Sequence, residues 1–213
     1  MEYNRGSEPS KNDFFMAAIS GNTEMVENLI KSGVDIDAVG DTFGMTALIF
    51  AIKYRHTKTV QKLIELGADV NKPNNFKVTP LMFASHYGLA GIVDILLLYG
   101  ANVYAENQKG ETALWDAYYS PYIERNRIFD MLFNMGANVN HQDNNGDTLL
   151  MIASREGNNE YVLMLFGRKA SYLLINNEGK TATDIAFDNR RYKTQRLLQQ
   201  LIQRRERMKN PKE

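Results

Sequence analysis

The sequence predicts an all-α array of short helix pairs, and three observations predict it. A threonine-led apolar hexad recurs: Thr46 opens TALIFA, Thr79 TPLMFA, Thr112 TALWDA, Thr148 TLLMIA and Thr181 TATDIA, at steps of 33, 33, 36 and 33 residues. A closing motif follows in phase: Gly67-Ala68-Asp69-Val70-Asn71, Gly100-Ala101-Asn102-Val103 and Gly136-Ala137-Asn138-Val139-Asn140. Between opening and close lie two apolar stretches at helical spacing with a tight break between them, as at Gly88 within residues 79–102.

A 33-residue unit that opens T-P-L-x-x-A resembles the ankyrin repeat, a β-turn followed by two antiparallel helices. The resemblance runs over residues 12–202. It implies an ankyrin-repeat solenoid of six units, at about 12–40, 41–73, 74–106, 107–142, 143–175 and 176–207, with the first and last as capping repeats. Each such unit buries its apolar face only against its neighbours, so residues 12–207 read as a single domain. Residues 1–11 read as a disordered lead and 208–213 as a tail.

Composition agrees with this and excludes some chemistry. Hydrophobic residues make up 44% of the chain, enough for a long core. The chain has no cysteine, which removes disulfides and thiolate metal sites. No apolar run approaches the ~18 residues of a membrane span. The start, MEYNRGSEPSKND, lacks the apolar core of a signal peptide, so the expected compartment is the cytoplasm. Net charge is zero but unevenly placed: from Arg190 onward there are nine Lys/Arg against Glu206 and Glu213.

The elements follow in order. Asn12 and Asp13 offer cap oxygens to a first short helix around residues 14–18; Ser20-Gly21-Asn22 breaks it. Met25, Val26, Leu29 and Ile30 stripe the second helix, which Gly33 ends. In the second unit Gly44 supplies a tight turn, Thr46 caps, and Leu48, Ala51, Val60, Leu63 and Ile64 are core; Arg55-His56 stands where the family has glycine, so an atypical turn is expected. In the third, Lys77 replaces the turn glycine, while Pro80 sits in the first helical turn, where a missing N–H costs nothing. The fourth carries a three-residue insertion near 120–126; Pro121 is expected to end the first helix early, and Tyr118 to force repacking. The fifth has Arg168-Lys169-Ala170-Ser171 in place of the closing motif, which predicts an irregular helix exit. The sixth has a polar second helix striped only by Leu197, Leu198, Leu201 and Ile202, as a C-terminal cap requires.

Nothing in the sequence points to catalysis. His56, His86 and His141 fall in different units, with no second ligand at helical spacing, so neither a metal nor a cofactor is expected. Asp184 and Asp188 stand one helical turn apart, but such a pair on a terminal helix reads as a solvated face. The basic C-terminal helix allows a nucleic-acid or anionic-surface reading. It lacks interleaved aromatics after Tyr192, however, and cations near a helix C-terminus also complement its dipole.

The resemblance implies a binding face built from turn tips and the exposed side of each first helix. Carried over by register, the tips are Thr42, Phe43 and Met45; Asn75, Phe76 and Val78; Gln108, Lys109 and Glu111; Asn144, Asn145 and Asp147. The helix positions are Lys53 and Tyr54, His86 and Tyr87, Tyr119 and Ser120, Arg155 and Glu156, and Trp115 stands where the family often has histidine, at the groove rim. Units two to four are thus aromatic, and exposed Tyr and Trp are enriched at interface hot spots. The expected function is non-catalytic binding of another protein by a monomeric chain, through Phe43, Met45, Tyr54, Phe76, Val78, Tyr87, Trp115 and Tyr119. An inhibitor or immunity-type protein blocking one enzyme is an alternative within the same geometry.

Overall fold

The structure, a computed structural model, describes residues 10–209. Of the expected lead over residues 1–11 and tail over 208–213, residues 1–9 and 210–213 lie outside the described residues, while Lys11 already begins the first helix and Met208 and Lys209 still belong to the last. Two compact units are formed, one reaching Ala137 and one starting at Asn138. Among the described residues there are twelve α-helices and no strand, only an isolated antiparallel bridge between Val39 and Thr46. The fold class is the all-α repeat solenoid that the period predicts.

The first unit holds four helix pairs: α1 (Lys11–Ser20) with α2 (Thr23–Lys31), α3 (Ala47–Lys53) with α4 (Thr57–Glu65), α5 (Pro80–His86) with α6 (Ala90–Leu98), and α7 (Ala113–Tyr119) with α8 (Arg125–Asn134). First helices pack in the order α1, α3, α5, α7, and second helices in the order α2, α4, α6, α8. The second unit holds α9 (Leu149–Glu156) with α10 (Asn159–Gly167) and α11 (Ala182–Asp188) with α12 (Tyr192–Lys209); α9 packs on α11 and α10 on α12.

Helices of seven residues are too short to persist alone, so caps and burial must hold them. The repeated threonine supplies the cap: Oγ1 of Thr46, Thr79, Thr148 and Thr181 each accepts the N–H three residues on, at 3.3 Å. In α5 and α9 the sulfur of Met82 and Met151 accepts the cap residue's own N–H at 3.4 Å. Leu48, Ala51, Leu81, Ala84, Leu114, Ala117, Leu150 and Ala153 are buried at matching places of their helices, and the alanines let paired helices approach.

The structure corrects several local expectations. The first cap is Ser10, whose side chain accepts from the N–H of Asn12, so Lys11 begins α1 and Asn12 and Asp13 lie inside the helix. Pro121 does not shorten α7, which has the seven residues of α3 and α5; Ser120 turns extended, as a residue before proline prefers. The exit of α10 is regular. Lys169 takes φ +64°, donates to Phe166 O, and Ala170 donates to Leu165 O at 3.0 Å, the same bonds that Gly67-Ala68, Gly100-Ala101 and Gly136-Ala137 make. Arg55 likewise adopts φ +65°, where Gly21 and Gly88 take +73° and +66°, so this turn keeps the common backbone and only its side chain is unusual.

Candidate functional site

Each turn tip is held by one side chain that the period places. Oδ1 of Asp41 accepts from the N–H groups of Phe43 and Met45, Asn74 from Phe76 and Val78, and Asn107 from Lys109 and Glu111. In the second unit Asp143 accepts from Asn145 and Asp147, and Asn176 from Glu178 and Lys180. Asx side chains mimic a backbone turn in this way. The recurrence of Asp or Asn five residues before each threonine is the sequence signal for it, and register alone, without this chemistry, had singled out the neighbouring residues.

In the first unit, consecutive tips are laced together. Asn75 donates its N–H to Phe43 O at 2.9 Å and its amide to Thr42 O at 3.0 Å; Gln108 does the same to Phe76 O at 3.0 Å and Asn75 O at 2.8 Å. This sets the rings of Phe43 and Phe76 6.1 Å apart, 56% and 47% exposed. Such large apolar groups in water on adjacent repeats form the front of the candidate surface.

The three tyrosines lie at the other end of the first helices, about 10 Å from the tips for a seven-residue rise. Tyr54 and Tyr119 are exposed. Tyr87 is half-buried: its ring stacks on Phe83 with centroids 6.4 Å apart and meets His86 edge-on at 5.4 Å. Tyr119 meets the buried Tyr118 edge-on at 5.2 Å, so the bulky Tyr118 is accommodated within the core.

Two expected surface residues belong to the core. Met45 is 5% exposed; its amide is tied back to Asp41 and its side chain is turned inward. Trp115 is 2% exposed because it occupies the third place after the cap threonine, where Ile49, Met82 and Met151 are also buried. Val78 is half-buried. Ser120 is buried as well, and Asp147 is withdrawn from the tip into an ion pair with Arg155 at 2.6 Å and a bond from Asn176 at 2.8 Å.

Asp116, which the sequence reading passed over, stands on the same face. His86 Nδ1 is 4.0 Å from its Oδ1, and its Oδ2 is cut off from water with no hydrogen-bond partner. Burial pushes its carboxyl up to about 8, with the Glu111 charge adding and Lys109 opposing.

The remaining candidates resolve into structural roles. His56 Nε2 lies 2.8 Å from Ile19 O. Asp184 caps its own helix through Thr181, which holds its carboxyl below the usual range, while Asp188 pairs with Lys180 at 2.9 Å, so the two carboxylates do not act together. The insertion is packed down: Tyr122 lies against Gly88, whose added Cβ would come within 2.4 Å of it, and under the Arg55 guanidinium at 4.6 Å. Ile123 projects fully. On α12, Arg205 lies over the Phe166 ring at 3.5 Å and donates to the carbonyls of Ala170 and Phe166, and Arg191 donates to Arg155 O, so part of the basic set is engaged within its own unit. Among the described residues no helix is long and apolar enough to cross a membrane, and no group of three His, Cys, Asp or Glu side chains is placed to hold a metal ion.

Comparison with known proteins gives one family throughout. The family description "Ankyrin repeats (3 copies)" matches residues 6–74 and 122–204, and "Ankyrin repeats (many copies)" matches residues 63–114. A putative ankyrin repeat protein of Acanthamoeba polyphaga mimivirus is 37% identical over 106 residues, 45% of this chain and 16% of that protein. Glycerophosphocholine phosphodiesterase gde1 of Schizosaccharomyces pombe is 37% identical over 100 residues, 46% of this chain but 9% of its own length. The chain thus spans a small part of these two relatives. The putative ankyrin repeat protein YahD of Escherichia coli is similar over most of both chains, 27% identical over 182 residues that make up 82% of this one and 88% of that one. With its threonine caps, Asx tips and left-handed helix exits in phase, and with family matches over most of its length, the chain belongs to the ankyrin repeat family.

Proposed function

We propose that the chain is a non-catalytic binding module that holds a partner protein on the first-helix and tip face of repeats two to four. Ankyrin repeats generally mediate protein–protein interaction. The observation that carries the reading for this chain is the exposed aromatic series on successive repeats: Phe43 and Phe76 at the tips, Tyr54 and Tyr119 at the helix ends, with Tyr87 between them. Their backbone frame is fixed by Asx turns and caps before any partner arrives, so little ordering entropy is lost on binding. The phosphodiesterase named above shows that such repeats also occur within an enzyme, and this chain's proposed role is the binding part alone.

The test is affinity capture from a native lysate with the wild-type chain and with Tyr54→Ala/Tyr87→Ala/Tyr119→Ala, whose fold is checked by circular dichroism. A protein held by the first and lost by the second is the expected result. A protein held equally by both moves the contact away from this face. Unfolding of the variant would assign the rings to the core.

A further inference from the structure

The fourth residue after each repeat threonine is Phe50, Phe83, Asp116, Ile152 and Ile185. Four are apolar and one is a carboxylate. In the first unit Phe50 is buried and Phe83 half-buried, and Asp116 therefore stands, itself half-buried, where its neighbours offer hydrocarbon. Its side chain is 22% exposed, and that exposure does not reach Oδ2, which has neither water nor donor. Oδ1 lies 4.0 Å from His86 Nδ1, beyond hydrogen-bond reach. The carboxylate is sealed on one side and open on the other.

An unpaired carboxylate in such a place costs stability, and an apolar residue would fill the column without that cost. The Lys109 charge acts on Asp116 more weakly than burial and the Glu111 charge do, so the group still lacks a matching cation. The unit around it is acidic, with twelve Lys/Arg against sixteen Asp/Glu through Ala137. The rim of the open side is aromatic: Tyr119 lies one helical turn on from Asp116, and His86 and Tyr87 stand edge-to-face on the neighbouring helix at 5.4 Å. A planar, weakly hydrated guanidinium suits both features, because it pairs with a carboxylate and lies flat on aromatic rings.

We propose that Asp116 is the anchor for a cationic side chain of the partner protein, an arginine by shape, which enters between α5 and α7 and completes the carboxylate's shell. This rests on the reading that the face binds a protein, and it adds what that protein must present. The raised pKa of Asp116 is in keeping with a group whose counter-charge arrives from outside.

The test pans a random peptide library on the full chain and on Asp116→Asn, a near-isosteric change that removes the ionisable group. The wild type is expected to select peptides with a basic residue at one fixed place. Synthetic copies should bind Asp116→Asn at least tenfold more weakly, and replacing their arginine by neutral citrulline should cost the same tenfold on the wild type and nothing on Asp116→Asn. Peptides without a basic residue, or with equal affinity for both chains, overturn the inference; if they are lost on the triple tyrosine variant, the binding face stands and only the cation is wrong. If the wild type selects no peptide, the inference and the face fall together.

Discussion

Asp116 makes the folded chain less stable as the pH rises. Its carboxyl titrates near 3.8 when exposed and is pushed up to about 8 in the fold, where His86 faces it from α5 and Glu111 and Lys109 from the turn before α7. Below about pH 4 both states hold the proton and nothing is lost. Between 4 and 8 the folded state binds more protons than the unfolded one, so stability falls. Asn cannot ionise, so Asp116→Asn is expected to stabilise the chain by about 1–3 kcal/mol at pH 8.5 and by much less at pH 5, partial exposure keeping the gain below the full shift. Urea unfolding at the two pH values checks this; an equal gain at both would assign the effect to packing. The carboxylate was legible in the sequence once the five repeats were stacked, because it breaks an apolar column. Met45 and Trp115 were misread because the register was carried over from the family without asking which way each side chain points, and both point inward.

At the scale of the element, the Thr46 cap, the glycine breaks and the core stripe were read correctly because each is fixed by local chemistry, although Thr112 at the matching place makes no side-chain cap bond. The errors lie where a residue other than the usual one fills a place that the neighbouring turns impose. Lys169 closes α10 in the left-handed region, as glycine does elsewhere, because Ala170 and the paired helices fix the chain on either side. An L residue pays for that conformation, and glycine's own entropy cost offsets only part of the gain. Lys169→Gly is therefore expected to raise stability by about 0.5–1 kcal/mol, seen as a higher urea midpoint; a lower midpoint would mean that the lysine side chain contributes packing. The insertion shows the same principle in reverse. Its length was legible, its role was not, since the contact of Tyr122 with Gly88 and Arg55 joins residues from three different repeats.

For the whole molecule, the return of the threonine motif beyond Ala137, after one lengthened step of 36 residues, leads us to propose one domain over residues 12–207. A single calorimetric transition is expected for the full chain; two separated transitions would make the units independent domains. The tips give the molecule a further property. The second residue after each Asx is Phe43, Phe76, Lys109, Asn145 and Glu178: two hydrocarbons, a cation, an amide and an anion on one recurring backbone. The turn is closed by its neighbour's oxygen, whatever this residue is. The chain thus separates grammar from vocabulary: the frame repeats, and the letter at this place of each turn can be rewritten, one tip at a time, without renegotiating the fold.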